Sequence, residues 1–287
     1  MKFRLIDTHT HAHFQAYSKD MDEVVNRALD EGTAMITVGT QSTTSRKGIE
    51  LAERYDGVWA TIGLHPSHLH KQEFFDDNEL PPEKRVTGKI KTRAEWFDAD
   101  EYRKLAEHPK VVAIGEFGLD YFRLPPNVDR EQMIADQKTS VEAQLRFATE
   151  VNKPVIIHSR DAHEDQFEIL KKALDRGDIP ELGVIHCFTG SAEDAARYKA
   201  IGFLVSIGGI VTFSKGLQAT VKDIPLEQIM LETDAPYLSP EPKRGKRNEP
   251  SYVKYVAEKI AEIKGVSFEE VAETTTNNAM NLFKLKV

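Results

Sequence analysis

Short apolar runs that each end in a histidine or a carboxylate set the strongest limit on what this chain can fold into. FRLIDTHTH carries His9 and His11, VVAIGE ends at Glu116, KPVIIH at His158, GVIH at His186 and IMLETD at Asp234. Such runs recur at about 3–9, 34–39, 58–64, 111–117, 154–159, 182–188, 203–209 and 229–234, with helical patterns such as MDEVVNRALDEG and HEDQFEILKKALDRG between them. Continuous apolar strands alternating with amphipathic helices make βαβ units, whose parallel sheet is buried on both faces. Eight of them favour closure into a TIM (β/α)8 barrel over an open doubly wound sheet. In a barrel of this kind the carboxyl ends of all strands share one rim, and active sites are built there. Ligand-type residues far apart in sequence would then converge.

A length of 287 residues suits one such barrel, and no linker-like stretch divides it, so 1–287 reads as a single domain. Two features depart from the regular alternation. The polar stretch 71–98, with Pro81-Pro82, reads as an insertion on the rim after the third strand. Beyond the last strand come two further helical patterns, 249–265 and 267–285, the second opened by Ser267 and Glu270 as a capping box. The single cysteine, Cys187, forbids an internal disulfide, and no leader-like or span-length apolar run is present; a cytoplasmic protein with no membrane contact is expected. The formal net charge of −8 disfavours sequence-independent wrapping of nucleic acid. It leaves room for a phosphate ester held by bound cations, whose charge dominates locally.

His9 and His11 are two apart, so on an extended strand both imidazoles point the same way. His13 continues the alternation; the first pair lies closer to the apolar run and is preferred as the ligand pair. Taken singly, Glu116 could cap a helix and Asp234 could serve a turn before Pro236. Taken together with His158 and His186, the six residues point to a metal site. Imidazoles and carboxylates without thiolates suit Zn²⁺, Mn²⁺ or Mg²⁺. Six ligands exceed the three that one catalytic zinc takes, and match two divalent ions sharing a carboxylate, with Glu116 placed to bridge. Two-metal sites of this kind generate hydroxide at neutral pH and clamp an in-line displacement at phosphorus.

Other groups belong to the expected mouth. His65 ends the third strand in IGLHP, and Arg160 follows His158, where its guanidinium can fork to a phosphate. Arg247 lies in KRGKRNEP with Lys243, Arg244 and Lys246, the densest basic cluster in an acidic chain; it reads either as a substrate contact or as a solvated loop. Tyr121 and Phe188 could stack on a base or simply pack. His68, His70 and His163 read as surface residues. Cys187 should face away from His186, buried and not nucleophilic.

IDTHTH (6–11), GLHP (63–66), IGEFGLDY (114–121), KPVIIHSRDA (153–162), HCFTGS (186–191), LETDAPYL (231–238) and RNEP (247–250) resemble, in order, the TatD family of metal-dependent deoxyribonucleases within the amidohydrolase-like barrels. The resemblance spans nearly the whole chain. It implies a TIM barrel, two divalent ions and hydrolysis of DNA phosphodiesters, often as a 3′–5′ exonuclease. By that resemblance His9, His11, Glu116 and Asp234 hold one ion, and Glu116, His158 and His186 the second. Asp234 is then the general base for attack by a metal-bridging hydroxide, and His65 and Arg160 lie near substrate. Two departures bear on substrate preference: His13 stands where many relatives are acidic, and the 71–98 segment is longer than usual. DNA ends or single strands are the expected partner, with no obligate protein partner. The competing readings are a binuclear amidohydrolase-like enzyme acting on C–N or C–O bonds, against which Glu116 in place of a carboxylated lysine counts, and a non-catalytic metal-binding scaffold.

Overall fold

The computed structural model describes residues 3–71, 73–74, 90–91, 93–124, 128–179 and 183–286. Strands β1 (Leu5–Thr10), β2 (Thr33–Val38) and β3 (Val58–Ile62) are followed by a two-residue antiparallel pair, β4 (Glu73–Phe74) with β5 (Ile90–Lys91). Then come β6 (Val111–Asp120), β7 (Val155–Arg160), β8 (Gly183–Ile185), β9 (Leu204–Ile207) and β10 (Ile229–Leu231). The eight long-range strands pair in parallel in the order β1-β2-β3-β6-β7-β8-β9-β10. This is the expected TIM barrel. The short pair falls within the expected rim insertion 71–98, most of which lies outside the described residues.

Helices α1 (Met21–Asp30), α2 (Ser42–Glu53), α3 (Ala99–Ala106), α4 (Arg130–Glu150), α5 (His163–Arg176), α6 (Ala192–Ala200) and α7 (Lys215–Asp223) connect the strands. The two C-terminal helices are α8 (Val253–Lys264) and α9 (Phe268–Phe283). Ser267 accepts the Glu270 amide at 3.1 Å and caps α9, the forward half of the expected box. Reciprocal pairs form elsewhere, between Ser191 and Asp194 on α6 and between Gln41 and Thr44 on α2. Among the described residues no helix is long and apolar enough to cross a membrane.

Side chains alternate across each strand, and the core divides accordingly. Ile6, Ile36, Trp59, Ala113, Ile156, Val184 and Met230 form one cluster inside the barrel, closed at its base by Phe3 and by Phe283 and Leu285 at the end of α9. Their strand neighbours, among them Leu5, Met35, Ile114, Ile157 and Val205, form a larger cluster with the surrounding helices. The helix after the barrel is therefore a plug: Thr276 of α9 donates to the Arg4 carbonyl, and Asn278 to those of Leu226 and Ile229.

The seam between β10 and β1 is where closure is hardest, because β10 has only three residues. Backbone bonds join the strand ends, Asp234 N–H to the His9 carbonyl at 2.8 Å and His11 N–H to the Ala235 carbonyl at 2.7 Å. Below them, side chains take over. Thr8 Oγ1 donates to the Leu231 carbonyl at 2.9 Å, and the fully buried Asp7 accepts both Thr233 N–H at 2.9 Å and Thr233 Oγ1 at 2.6 Å. Asp7→Ala removes the acceptor of the Thr233 amide and hydroxyl and of the His9 amide at 3.3 Å, and a buried donor left without a partner costs about 1–3 kcal/mol at most. A loss of about 2–4 kcal/mol is expected, read as a lower urea midpoint at unchanged m-value. An unshifted midpoint would show that the seam does not depend on this carboxylate.

Candidate metal centre

The six strand-end residues meet on the rim, and Glu116 is at their centre. Its side chain is buried and its two oxygens face different groups. Oε2 stands 3.5 Å from His9 Nε2 and 4.0 Å from His11 Nε2, and Asp234 Oδ1 approaches the same two nitrogens at 3.8 and 3.4 Å. Oε1 faces His186 Nε2 at 2.8 Å, His158 Nδ1 at 2.9 Å and His65 Nε2 at 3.4 Å. The carboxylate thus divides the site into two groups of ligand-type atoms. His9 and His186, one from each group, stack at 3.9 Å between centroids.

Local structure explains the convergence. β6 runs on to Asp120, past the expected end at 117, so both Glu116 and Asp120 lie on the strand. A Cβ on Gly118 would sit 1.9 Å from the His158 carbonyl oxygen; only glycine there lets β6 approach β7 closely enough to bring the two strands' ligands together. Asp234 follows β10 in a left-handed conformation with φ 55°, which aspartate tolerates better than most residues.

The electrostatics show what the cluster requires. Burial by itself raises the Glu116 carboxyl, but His186 and His65, with hydrogen bonds from His158 and His186, hold it well below the ordinary range. Burial pushes His9 down, and His65 well down, while carboxylate neighbours overcome burial at His186 and His158 and raise them. One buried carboxylate among imidazoles therefore calls for local positive charge. Divalent ions would supply it with the imidazoles neutral, the form in which they ligate. The residues fit such ions. Both ring nitrogens of the buried His9 lack any hydrogen-bond partner. The donors are imidazole and carboxylate only, in triads such as His9–His11–Glu116 and His65–Glu116–His158 whose ligand atoms lie within 4.8 Å of one another.

Sequence reasoning missed two carboxylates that stand behind the histidines. Asp120 Oδ2 meets His158 Nε2 at 3.1 Å, and its other oxygen accepts the amides of Phe122 and Arg123 at 3.0 and 2.7 Å. Burial acts to raise Asp120, but the His158 bond and charge, the Arg123 amide and the nearby His65 together outweigh it and hold the carboxyl well below the ordinary range. Glu232, also buried, faces His186 Nδ1 at 3.6 Å and accepts the Cys187 amide at 2.6 Å. Carboxylates behind ligating histidines fix the ring orientation and raise its basicity. Both sit inside motifs already singled out, IGEFGLDY and LETDAPYL, and the signal was their strand-end position.

Other expected site residues separate. His65, Arg160 and Asp234 line a cavity of about 740 Å³ over the cluster. His13 also lines it, yet its Nδ1 pairs with Thr37 Oγ1 at 2.7 Å, apart from Glu116 and Asp234. Arg247, expected at the mouth, is not among the residues that line this cavity. It forks to Asp20 at 2.9 and 2.5 Å, donates to the Ala16 carbonyl and lies over the Tyr17 ring, so its charge braces the segment after β1. The next residue, Asn248, is fully buried and donates to the Thr233 and Tyr237 carbonyls at 2.8 and 2.6 Å, pinning the loop that carries Asp234. Cys187 does not turn away from the site; with φ 46° it lines the cavity, although burial raises its thiol well above the ordinary value and leaves it a poor nucleophile. Phe188 is wholly buried and packs against His163 and Tyr198, so it offers no face for stacking; Tyr121 is partly buried against the core and donates to Asp165 at 2.7 Å. Nor are His68 and His163 surface residues: both are half-buried, desolvation lowers His68 to about 4, and His163 meets Tyr198 Oη at 3.3 Å.

Residues 6–284 match the family model described as TatD related DNase. The chain belongs to this family of metal-dependent hydrolases. Among its relatives, an uncharacterized metal-dependent hydrolase of Bacillus subtilis, YabD, is 42% identical over 98% of this chain and 99% of its own length. A protein of Pantoea vagans named 3′-5′ ssDNA/RNA exonuclease TatD is 35% identical over 94% of this chain and 95% of its own. The crystal structure of YJJV, a TatD homologue of Escherichia coli K12, superposes with a TM-score of 0.81 at 28% identity, covering all of both chains. The TatD relationship accounts for the barrel.

Asp120→Asn and Glu232→Gln keep shape but remove the charge behind His158 and His186. Each is expected to weaken divalent-metal affinity about 10- to 100-fold, read by competition with a fluorescent chelator. Affinity equal to wild type in both variants would remove these carboxylates from the metal centre.

Proposed function

We propose that this protein is a two-metal phosphodiesterase that shortens single-stranded nucleic acid, DNA foremost, from its 3′ end. The observation that carries the reading is the divided environment of Glu116, with His9, His11 and Asp234 about one oxygen and His158 and His186 about the other. One ion would be held by each group, with Glu116 shared. Such ions supply Lewis-acid charge to a phosphoryl oxygen and acidify a water at neutral pH. The naming of a TatD relative as a 3′-5′ ssDNA/RNA exonuclease supports the choice of bond and polarity.

The remaining work falls to this chain's side chains. Burial alone would raise Asp234, but its hydrogen bond with His11 and the nearby His186 and His9 lower it, so it stands ionised at neutral pH and ready to take a proton from the attacking water. Arg160, in the cavity lining, has a planar guanidinium suited to two phosphate oxygens. His65, held by its Nδ1 contact with Ser67 Oγ at 2.7 Å, presents Nε2 toward Glu116 and the phosphate position.

The test uses 5′-labelled single-stranded DNA and metal-depleted protein, with Mn²⁺, Mg²⁺ or Zn²⁺ restored one at a time. A ladder shortening from the 3′ end is expected with at least one metal, and an intact substrate under every metal would overturn the reading. Asp234→Asn is expected to lower kcat about 100- to 10,000-fold with an unchanged circular dichroism spectrum. Wild-type turnover in that variant would remove Asp234 from the role of base. Metal analysis is expected to find two ions per wild-type chain and one in His158→Ala/His186→Ala.

A further inference from the structure

The basic cluster at 243–247 loses Arg247 to a structural brace, but its other members are built into the rim in a different way. Arg244 is exposed, and its guanidinium carbon lies 3.9 Å from the centroid of Phe213, one of the few large apolar side chains left exposed. Lys243 Nζ lies 5.1 Å over the Tyr252 ring. Lys246 and Lys215, the latter two residues beyond Phe213, are exposed beside them. Among the described residues, no carboxylate comes within ion-pair distance of Lys243, Arg244, Lys246 or Lys215. Four cations thus keep their full charge in a chain of net charge −8. The acidic groups on this loop do little to cancel it: Glu249 is engaged with Arg27 and Arg247, leaving Glu241.

The loop is held in place. Glu241 N–H donates to Thr212 Oγ1 at 2.9 Å, and Lys246 N–H to the Lys243 carbonyl at 3.1 Å. Ser239 Oγ donates to the Lys246 carbonyl. The turn that bears Phe213 packs directly against it; a Cβ on Gly209 would stand 2.2 Å from the Leu238 carbonyl oxygen, so a side chain there would drive the two segments apart. The patch also adjoins the metal centre. Phe213 N–H bonds to the Ile210 carbonyl, and Ile210 and Leu238 line the cavity that holds Glu116 and Asp234.

We infer that Phe213 and Arg244, with Lys243, Lys246 and Lys215 around them, form a platform for single-stranded nucleic acid, on which the part of the strand outside the metal centre lies. An exposed aromatic face accepts any base, and unpaired cations follow the phosphates, the combination used for strand binding without sequence preference. The guanidinium already stacked on the ring can stay parallel to it while its edge turns to a phosphate. The inference rests on the phosphodiesterase reading and adds to it a site that acts only on substrates long enough to leave the cavity.

The experiment compares wild type, Phe213→Ala and Arg244→Glu, all metal-loaded, on a thymidine dinucleotide and on a 10-nucleotide oligothymidylate. Binding of the fluorescent 10-mer is followed in parallel by anisotropy over a range of salt. For each variant, KM and Kd for the 10-mer are expected to rise about 5- to 10-fold, with kcat and the dinucleotide KM as in wild type. Arg244→Glu should also flatten the salt dependence of binding by about one to two counterions. Variants equal to wild type on the 10-mer, or equally impaired on both substrates, would overturn the platform. If wild type binds the 10-mer with the expected variant effects but cleaves nothing, the phosphodiesterase reading fails and the platform stands; if it neither binds nor cleaves, both fail.

Discussion

One buried carboxylate sets the terms for the rim. An ionised group taken out of water is costly unless opposite charge is supplied at close range. Glu116 has five imidazoles around it and almost no solvent, so its ionised state and the positive charge beside it depend on each other. Protons on some rings meet that demand in the free protein, and divalent ions would meet it with more charge and without the mutual repulsion of neighbouring imidazolium groups, which already depresses His9 through His186. Asp120 and Glu232 extend the alternation of sign one layer outward. Layered carboxylate, imidazole and carboxylate hold ring orientations that no single hydrogen bond would fix.

A site assembled from strand ends inherits the rigidity of the barrel, and the seam is its weak point. The first and last strands contribute His9, His11 and Asp234, yet β10 is too short to pair fully with β1. Closure is carried by Asp7, Thr8 and Thr233 below the rim and by the bonds of His9 and His11 backbone to Asp234 and Ala235 at the rim. Asn248 then fixes the loop from above, and Tyr17 donates to the Asn248 carbonyl at 2.6 Å. The same contacts that shut the barrel therefore position Asp234, which couples the stability of the fold to the geometry of the site.

This division explains what could be read from residues alone. Strand ends were legible because buried parallel strands are continuous apolar runs, so the residue that breaks each run marks the rim. The convergence of His9, Glu116, His158, His186 and Asp234 followed from topology without any knowledge of contacts. Arg247 was not legible, because its partner Asp20 lies 227 positions away in a loop, and nothing in KRGKRNEP distinguishes a brace from a substrate contact. Cys187 was misplaced because β8 ends at Ile185, so the strand alternation used to turn it outward had already stopped. Asp120 and Glu232 were passed over for a related reason: each shares a motif with a candidate ligand, and only the side-chain geometry tells that residue from the group behind it.

The distribution of cations also removes the apparent conflict between an acidic chain and the anionic substrate proposed for it. On the helical shell, arginines are paired: Arg46 with Glu101, Arg54 with Asp22, Arg103 with Glu150, Arg197 with Glu164. Such exposed pairs add little stability, but they cancel the field of the cation. At the rim, Arg160 and Arg244 rest on Phe122 and Phe213 at 3.8 and 3.9 Å, and among the described residues neither has a carboxylate within ion-pair reach. A ring face orients a guanidinium without neutralising it. Net charge governs long-range behaviour, whereas a strand on the rim within a Debye length of about 8 Å responds to the charges left uncancelled there. Aromatic seating of selected arginines is therefore a way for a protein with excess acid to keep one electropositive face.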